Sequence, residues 1–242
     1  MIIAAAQFTA RPLDVAANVE RMAGFVTEAG ERGAALVVFA ELAVTGYEPA
    51  AVAGDPDALT MAPDDPRLSP VRDACRAAGV AAVVNCAGRV PAGPTISSFV
   101  YGPDGAVLTR YDKVRPTGTE TAAGFVAGTT DGRFTLHGTA FGLVVCYDAH
   151  FPDLAARAAA DGCRVLLASS LYGRGAGQAE RREIFPALAR DNGLRVLLAN
   201  HVGPAGPYDA CGRSAVWGPD GAVLAEGSEA GVELVLHSLS GV

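Results

Sequence analysis

The chain has 242 residues, half of them apolar and 19% charged, which is enough for one large domain with its own core, spanning 1–242. A formal net charge of −7 argues against a basic footprint for nucleic acid or an anionic membrane surface. No apolar stretch approaches the roughly 18 residues that a membrane span needs. The five cysteines, Cys75, Cys86, Cys146, Cys163 and Cys211, are odd in number and contain no C-x-x-C pair. A disulfide framework and a zinc knuckle are therefore not expected, nor is any metal or cofactor. With no basic leader ahead of the first apolar run, the expected location is the cytoplasm.

In chain order, residues 2–8 read as a buried strand. Val15, Val19, Met22, Val26 and Ala29 then recur at spacings of four and three, an amphipathic helix that Asp14 can cap. Residues 34–40 form a second apolar strand with Glu41 at its end. The Pro-, Asp- and Gly-rich stretch 49–66 reads as a loop, 67–78 as a short helix stopped by Gly79, and 80–87 as the next strand. Residues 98–108 and 214–224 resemble each other, and in both Gly-Pro-Asp-Gly joins two strand-like runs. Pro sets φ for a turn and Gly supplies the positive-φ position, so each pair is a hairpin. Hairpins inside a β-α alternating chain predict mixed sheets, with two sheets face to face as one arrangement.

Residues 115–131 read as an irregular loop of active-site type. Strands follow at 133–136 and 141–146, a helix at 153–161, a strand at 165–169 and a loop at 173–177. The segment 178–191 reads as a helix that Pro186 would kink or break. Strands at 194–200 and 232–236 complete the chain.

Three polar residues stand where β runs end: Glu41, Lys113 and Cys146. A thiol is a weak nucleophile until a base takes its proton or a cation stabilises the thiolate. A carboxylate can be that base, especially when burial raises its pKa, and an ammonium can stabilise an oxyanion. Taken singly, each also has a plainer reading: Glu41 as a cap, Lys113 as a solvated strand end, and Cys146 as a buried filler.

The sequence resembles the nitrilase, or carbon–nitrogen hydrolase, superfamily. The matching text is Phe39-Ala40-Glu41-Leu42-Ala43-Val44-Thr45-Gly46-Tyr47, then Tyr111-Asp112-Lys113-Val114, then Cys146-Tyr147-Asp148 with Phe151-Pro152-Asp153. Shorter matches at Ala6-Gln7, Ala189-Arg190-Asp191-Asn192, Ala199-Asn200, Gly212-Arg213-Ser214 and Pro219-Asp220-Gly221 extend it almost end to end. The resemblance implies an α-β-β-α sandwich that hydrolyses non-peptide C–N bonds through an acyl-thioester. It implies Glu41 as general base, Cys146 as nucleophile, Lys113 as oxyanion stabiliser and Glu120 as the carboxylate that holds Lys113. The backbone N–H of Tyr147 is the implied second oxyanion donor, and Tyr47 and Tyr172 are expected near the substrate. It also implies a homodimer joined through helices 153–161 and 178–191.

Cys-Tyr-Asp looks amidase-like, which favours a small carboxamide as substrate over an N-carbamoyl compound or a nitrile. Several positions depart from the family's pattern. His150 stands where many amidase-like members carry arginine, which weakens the expectation of an acidic, omega-amidase-type substrate. Arg115-Pro116 replaces the usual pair after Lys113. Arg174, after the 165–169 strand, either meets a carboxylate or is solvated. A rival Cys-His-Glu glutaminase would need a partnered histidine, for which His201 is the candidate. A binding or scaffold protein without activity is the alternative from another class.

Overall fold

A computed structural model describes residues 1–239. The first half runs β1 (Ile2–Gln7), α1 (Val15–Glu31), β2 (Ala34–Val38), α2 (Pro49–Gly54), α3 (Pro56–Leu59), α4 (Ser69–Ala78), β3 (Ala81–Val90), β4 (Gly93–Tyr101) and β5 (Val107–Asp112). After α5 (Gly118–Ala122) come β6 (Gly132–Leu136), β7 (Thr139–Val145), α6 (Pro152–Ala160), β8 (Val165–Ser170), α7 (Ala176–Asn192) and β9 (Arg195–Asn200). The chain closes with β10 (Val202–Ala205), β11 (Tyr208–Cys211), β12 (Ala215–Trp217), β13 (Val223–Glu226) and β14 (Glu233–Ser238).

Two six-stranded sheets result, ordered β14-β1-β2-β3-β4-β5 and β13-β12-β9-β8-β7-β6. In the first, β1, β2 and β3 are parallel, and β4, β5 and β14 are added antiparallel. In the second, β7, β8 and β9 are parallel, and β12, β13 and β6 are added antiparallel. The halves thus share one plan, and the repeated hairpins are β4–β5 and β12–β13. Gly105 (φ +72°) and Gly221 (φ +80°) take the left-handed position in the two turns.

The alternation of side chains along each strand builds the layers. Ile3 and Ala5 of β1 face a core shared with Leu143, Val145, Leu167 and Leu197 of the other sheet. Ala4 and Ala6 point the opposite way, onto Val19, Met22 and Val26 of α1. On the far side, Leu166, Ala168, Val196 and Leu198 pack against Leu154, Ala158, Phe185 and Leu188 of α6 and α7. The architecture is the expected α-β-β-α sandwich with mixed sheets.

Four local readings are corrected. The stretch 49–66 is largely helical, because its prolines open turns: Pro49 and Pro56 sit in the first turns of α2 and α3, and Asp55 caps α3 by accepting from Ala58 N at 3.1 Å. Residues 115–131 contain α5, started by a capping box in which Thr117 and Glu120 bond each other's backbone N–H. Pro186 lies inside α7 without breaking it, since Arg181 and Phe185 before it and Leu188 and Ala189 after it are all buried. Burial of both flanks outweighs the one backbone hydrogen bond that Pro removes. The hairpin β10–β11 went unread, its strands being only four residues each.

Candidate active site

Glu41, Lys113 and Cys146 are brought to one place, as expected. Glu41 follows β2, at the carboxyl edge of the parallel strands, and Lys113 follows β5. Cys146 follows β7 and opens a one-turn helix, Cys146–His150. The cysteine's position is strained: Cys146 has φ +47°, a left-handed conformation that costs a non-glycine residue on the order of 1–2 kcal/mol. Asp148 fixes this turn from three directions, accepting from Tyr111 OH (2.7 Å), Val145 N (2.9 Å) and Arg115 N (2.8 Å).

Lys113 Nζ donates to Glu41 Oε1 at 2.7 Å and to Glu120 Oε1 at 2.8 Å, with all three side chains fully buried. Glu120 is therefore an interior carboxylate. It is held further by Tyr47 OH at 2.8 Å and by Thr117 N at 2.8 Å. Burial disfavours the ammonium, but Glu41, Cys146 and Glu120 together outweigh it and lift the Lys113 pKa above its ordinary value. Burial also raises Glu41, Lys113 lowers it and Glu120 raises it again, leaving its pKa at about 7. Burial and the Glu41 charge push the Cys146 thiol well up, while Lys113 pulls it back.

The carboxyl oxygen that Lys113 leaves free, Glu41 Oε2, has no hydrogen-bond partner among the described residues. The Cys146 thiol lies near enough to this carboxyl to lower its pKa, while its hydrogen bond goes to the Leu171 carbonyl at 3.6 Å. A carboxylate with an open lone pair thus stands beside a thiol that stays protonated at neutral pH. That arrangement can transfer the thiol proton at the moment of attack.

Several supporting residues had no role in the sequence reading. Asn85, at 0% exposure, accepts from Leu42 N at 2.7 Å and donates to Ser98 Oγ at 3.0 Å. It pins the turn carrying Glu41, where Leu42 has φ +49°. Asn200 holds the matching turn in the other half: its side-chain oxygen accepts from Tyr172 N at 2.8 Å, and its backbone N–H donates to Ser214 Oγ at 3.0 Å. In the sequence, Asn200 and Ser214 fall within the short family matches, and Ser98 and Ser214 occupy equivalent places in the repeated hairpin text; Asn85 carries no such signal. His201 does not pair with the thiol: its Nε2 lies 2.6 Å from the Glu41 carbonyl, so it braces the Glu41 backbone. Burial lowers its pKa and keeps it neutral.

Above Cys146 opens a cleft of about 640 Å³ whose walls include Tyr47, Tyr147, Tyr172 and Tyr208. His150, Arg174 and Glu180 also line it. Arg174 Nε is 3.0 Å from Asp209 Oδ2, and its Nη1 is 3.5 Å from Glu229 Oε2. Among the described residues no cluster of His, Cys, Asp and Glu is arranged to hold a metal ion, and no helix is long and apolar enough to cross a membrane.

Fold and site together define a cysteine-dependent hydrolase of the sandwich type. Residues 2–240 match the carbon–nitrogen hydrolase family, and the chain belongs to that family. It is 30% identical to a hydrolase of the pqqF 5′ region from Pseudomonas protegens over 93% of this chain and 78% of that protein. It is 27% identical to the human omega-amidase NIT2 over 86% of this chain and 78% of that one. Among solved structures, a glutamate-to-glutamine variant of the amidase from Nesterenkonia sp. AN1, carrying acrylamide added at its active-site cysteine, superposes with a TM-score of 0.89. That pair is 32% identical over 99% of this chain and 93% of the other.

Proposed function

We propose that this enzyme hydrolyses the C–N bond of small primary carboxamides through an acyl-thioester on Cys146. Glu41 Oε2 takes the thiol proton as the sulfur attacks the amide carbon. The oxyanion is stabilised by Lys113 Nζ and the backbone N–H of Tyr147. Glu41 passes its proton to the amide nitrogen, the C–N bond breaks and ammonia leaves. Water then attacks the thioester, giving one proton to Glu41. The C–S bond breaks, the carboxylic acid departs and the proton returns to the sulfur. Glu120 positions Lys113, Tyr47 positions Glu120, and Tyr172 shapes the wall of the acyl pocket.

The single observation that carries this reading is the buried Glu41–Lys113–Glu120 cluster, with one Glu41 oxygen left open beneath a strained cysteine. A merely structural ion pair would not leave a buried carboxylate oxygen unpaired, because that costs about 1–3 kcal/mol or more. The amidase activities named for the relatives favour carboxamides over nitriles and N-carbamoyl compounds.

The test is ammonia release from a panel of butyramide, N-carbamoyl amino acids and butyronitrile, with intact-mass detection of an acyl adduct on Cys146. Butyramide should be turned over, and Cys146→Ala should abolish both signals. Turnover that survives Cys146→Ala refutes the mechanism, and exclusive turnover of the nitrile refutes the substrate class. We further propose a cytoplasmic homodimer joined along α6 and α7. An apolar groove of about 270 Å³ between these helices, lined by Pro152, Ile184, Ala187 and Leu188, supports the interface. Five free thiols support a reducing compartment.

A further inference from the structure

We infer that the cleft selects amides whose acyl tail ends in a cation, with Glu180 as the residue that reads the charge; this rests on the amidase reading of the same site. Among the described residues Arg174 is the one arginine or lysine along the cleft wall, and it is not free to receive a carboxylate. Besides its contacts with Asp209 and Glu229, its Nη2 donates to the Glu229 carbonyl at 3.1 Å. Arg213 shares Glu229 and also pairs with Glu226, and Arg181 pairs with Glu226 as well. Three guanidiniums and three carboxylates thus balance one another beside the cleft.

Glu180 is left over. Among the described residues it has no arginine or lysine partner; the imidazole of His150 is within reach, its Nε2 lying 3.8 Å from Glu180 Oε2 and 3.4 Å from Tyr172 OH. Around these groups the rings of Tyr147 and Tyr172 flank His150, with centroids 4.9 and 6.3 Å from its own. A carboxylate in a cleft whose wall also carries Tyr147 and Tyr172 is a setting for an alkylammonium, which gains from the charge and from aromatic surroundings.

The start of α7, where Ala176 and Gly177 also line the cleft, is the feature that would favour an anion. Its partial charge is about half of one elementary charge. It is already flanked by Asp209 and Glu229 and is followed by the full charge of Glu180. Arg115, outside the cleft lining, lies over the Phe151 ring at 5.1 Å and does not reverse the balance. A tail ending in carboxylate would therefore meet net negative charge.

The test compares three amides of similar length: 4-aminobutanamide, its neutral isostere pentanamide, and succinamate. Wild-type kcat/KM should rank them in that order. The ratio for 4-aminobutanamide over pentanamide should fall about tenfold in Glu180→Gln, the scale of one charge pair at a half-solvated site. Glu180→Lys should raise succinamate relative to pentanamide. An unchanged ratio in Glu180→Gln, or a wild-type preference for succinamate, overturns the inference. Calorimetric binding of the same amides to Cys146→Ala protein keeps the two readings separate. If wild type turns over none of them, the amidase reading fails. The charge preference is then decided by binding alone: tighter binding of 4-aminobutanamide supports it, and equal, reversed or undetectable binding overturns it.

Discussion

Replacing Lys113 with alanine should cost stability in a way that depends on pH, because it leaves two carboxylates in the interior without their cation. Glu41 and Glu120 are each bonded to Lys113 Nζ at 2.7 and 2.8 Å and are fully buried. Removing one partner of a buried pair costs about 3–5 kcal/mol. The carboxyls can escape part of that cost by taking up protons. In the wild-type protein Glu41 already has its pKa raised from 4.5 to about 7. Its folded form therefore binds more proton than the unfolded chain between those values, and stability falls as pH rises through that window. Without Lys113, Glu41 loses the cation that lowers its pKa and should be raised further, and Glu120 loses the same cation. The slope then approaches two protons, about 2.7 kcal/mol per pH unit against about 1.4 for one. The stability gap between wild type and Lys113→Ala should thus be smallest near pH 5.5 and widen by about 1–3 kcal/mol toward pH 7.5. Urea unfolding at pH 5.5, 6.5 and 7.5, analysed by midpoint at constant slope, measures this directly. At neutral pH the same variant should lose at least 10²–10³ in kcat, through the missing oxyanion donor and a Glu41 that is now protonated. A gap that stays constant or narrows with pH would refute the reasoning, since it would mean that solvent or another cation compensates the two charges.

The rate of butyramide hydrolysis should rise with pH through about 7 with the slope of one proton, because Glu41 must be ionised to accept the thiol proton. A profile flat between pH 6 and 8 removes Glu41 from that role. Asn85→Ala should lower kcat more than it changes KM and destabilise the fold by about 1–3 kcal/mol, as Leu42 N–H loses its buried acceptor; steady-state kinetics and urea unfolding check both. Cys146→Gly should be more stable than Cys146→Ala by up to about 1 kcal/mol, because only glycine relieves the φ of +47°. Light scattering across a hundredfold concentration range should return twice the monomer mass, and a constant monomer excludes the homodimer.

Much of this site was legible in the sequence because it is carried by short runs with a fixed role. Glu41, Lys113 and Cys146 each stand where a strand signal ends, and the Thr117–Glu120 capping box is written in the sequence as T-x-x-E. What could not be read was the contact between segments. Nothing local to Glu120 says that it lies beneath Lys113, and a Gly- and Thr-rich stretch has no apolar period to reveal burial. The prolines at 49 and 56 open helices in a stretch that reads as a loop, and α7 runs through Pro186, for a related reason. Proline's local preference is unambiguous, but whether it opens, ends or rides within a helix is decided by which flanking residues are buried.

The shared plan of the two halves accounts for where the chemistry sits. The parallel strands β1, β2, β3 and their counterparts β7, β8, β9 present their carboxyl ends at the site, where the loops after β2, β7 and β8 meet. The first half supplies Glu41 and Lys113. The second supplies Cys146 and the wall beginning at Leu171, whose carbonyl receives the thiol. In each half an asparagine from the third parallel strand, Asn85 or Asn200, accepts the backbone N–H one residue past the functional position on the second. The interface joins at this point, with Glu41 N facing the Ser170 carbonyl at 3.5 Å. Glu41 and Cys146, drawn from opposite sheets and proposed as base and nucleophile, can hold a fixed separation only if both loops are pinned to rigid strands, and the paired asparagines supply that pinning. It follows that loosening either clamp should misplace one reacting group relative to the other while leaving each half folded. Disturbance at Asn85 should act on proton transfer through Glu41, and disturbance at Asn200 on the acyl pocket through Tyr172.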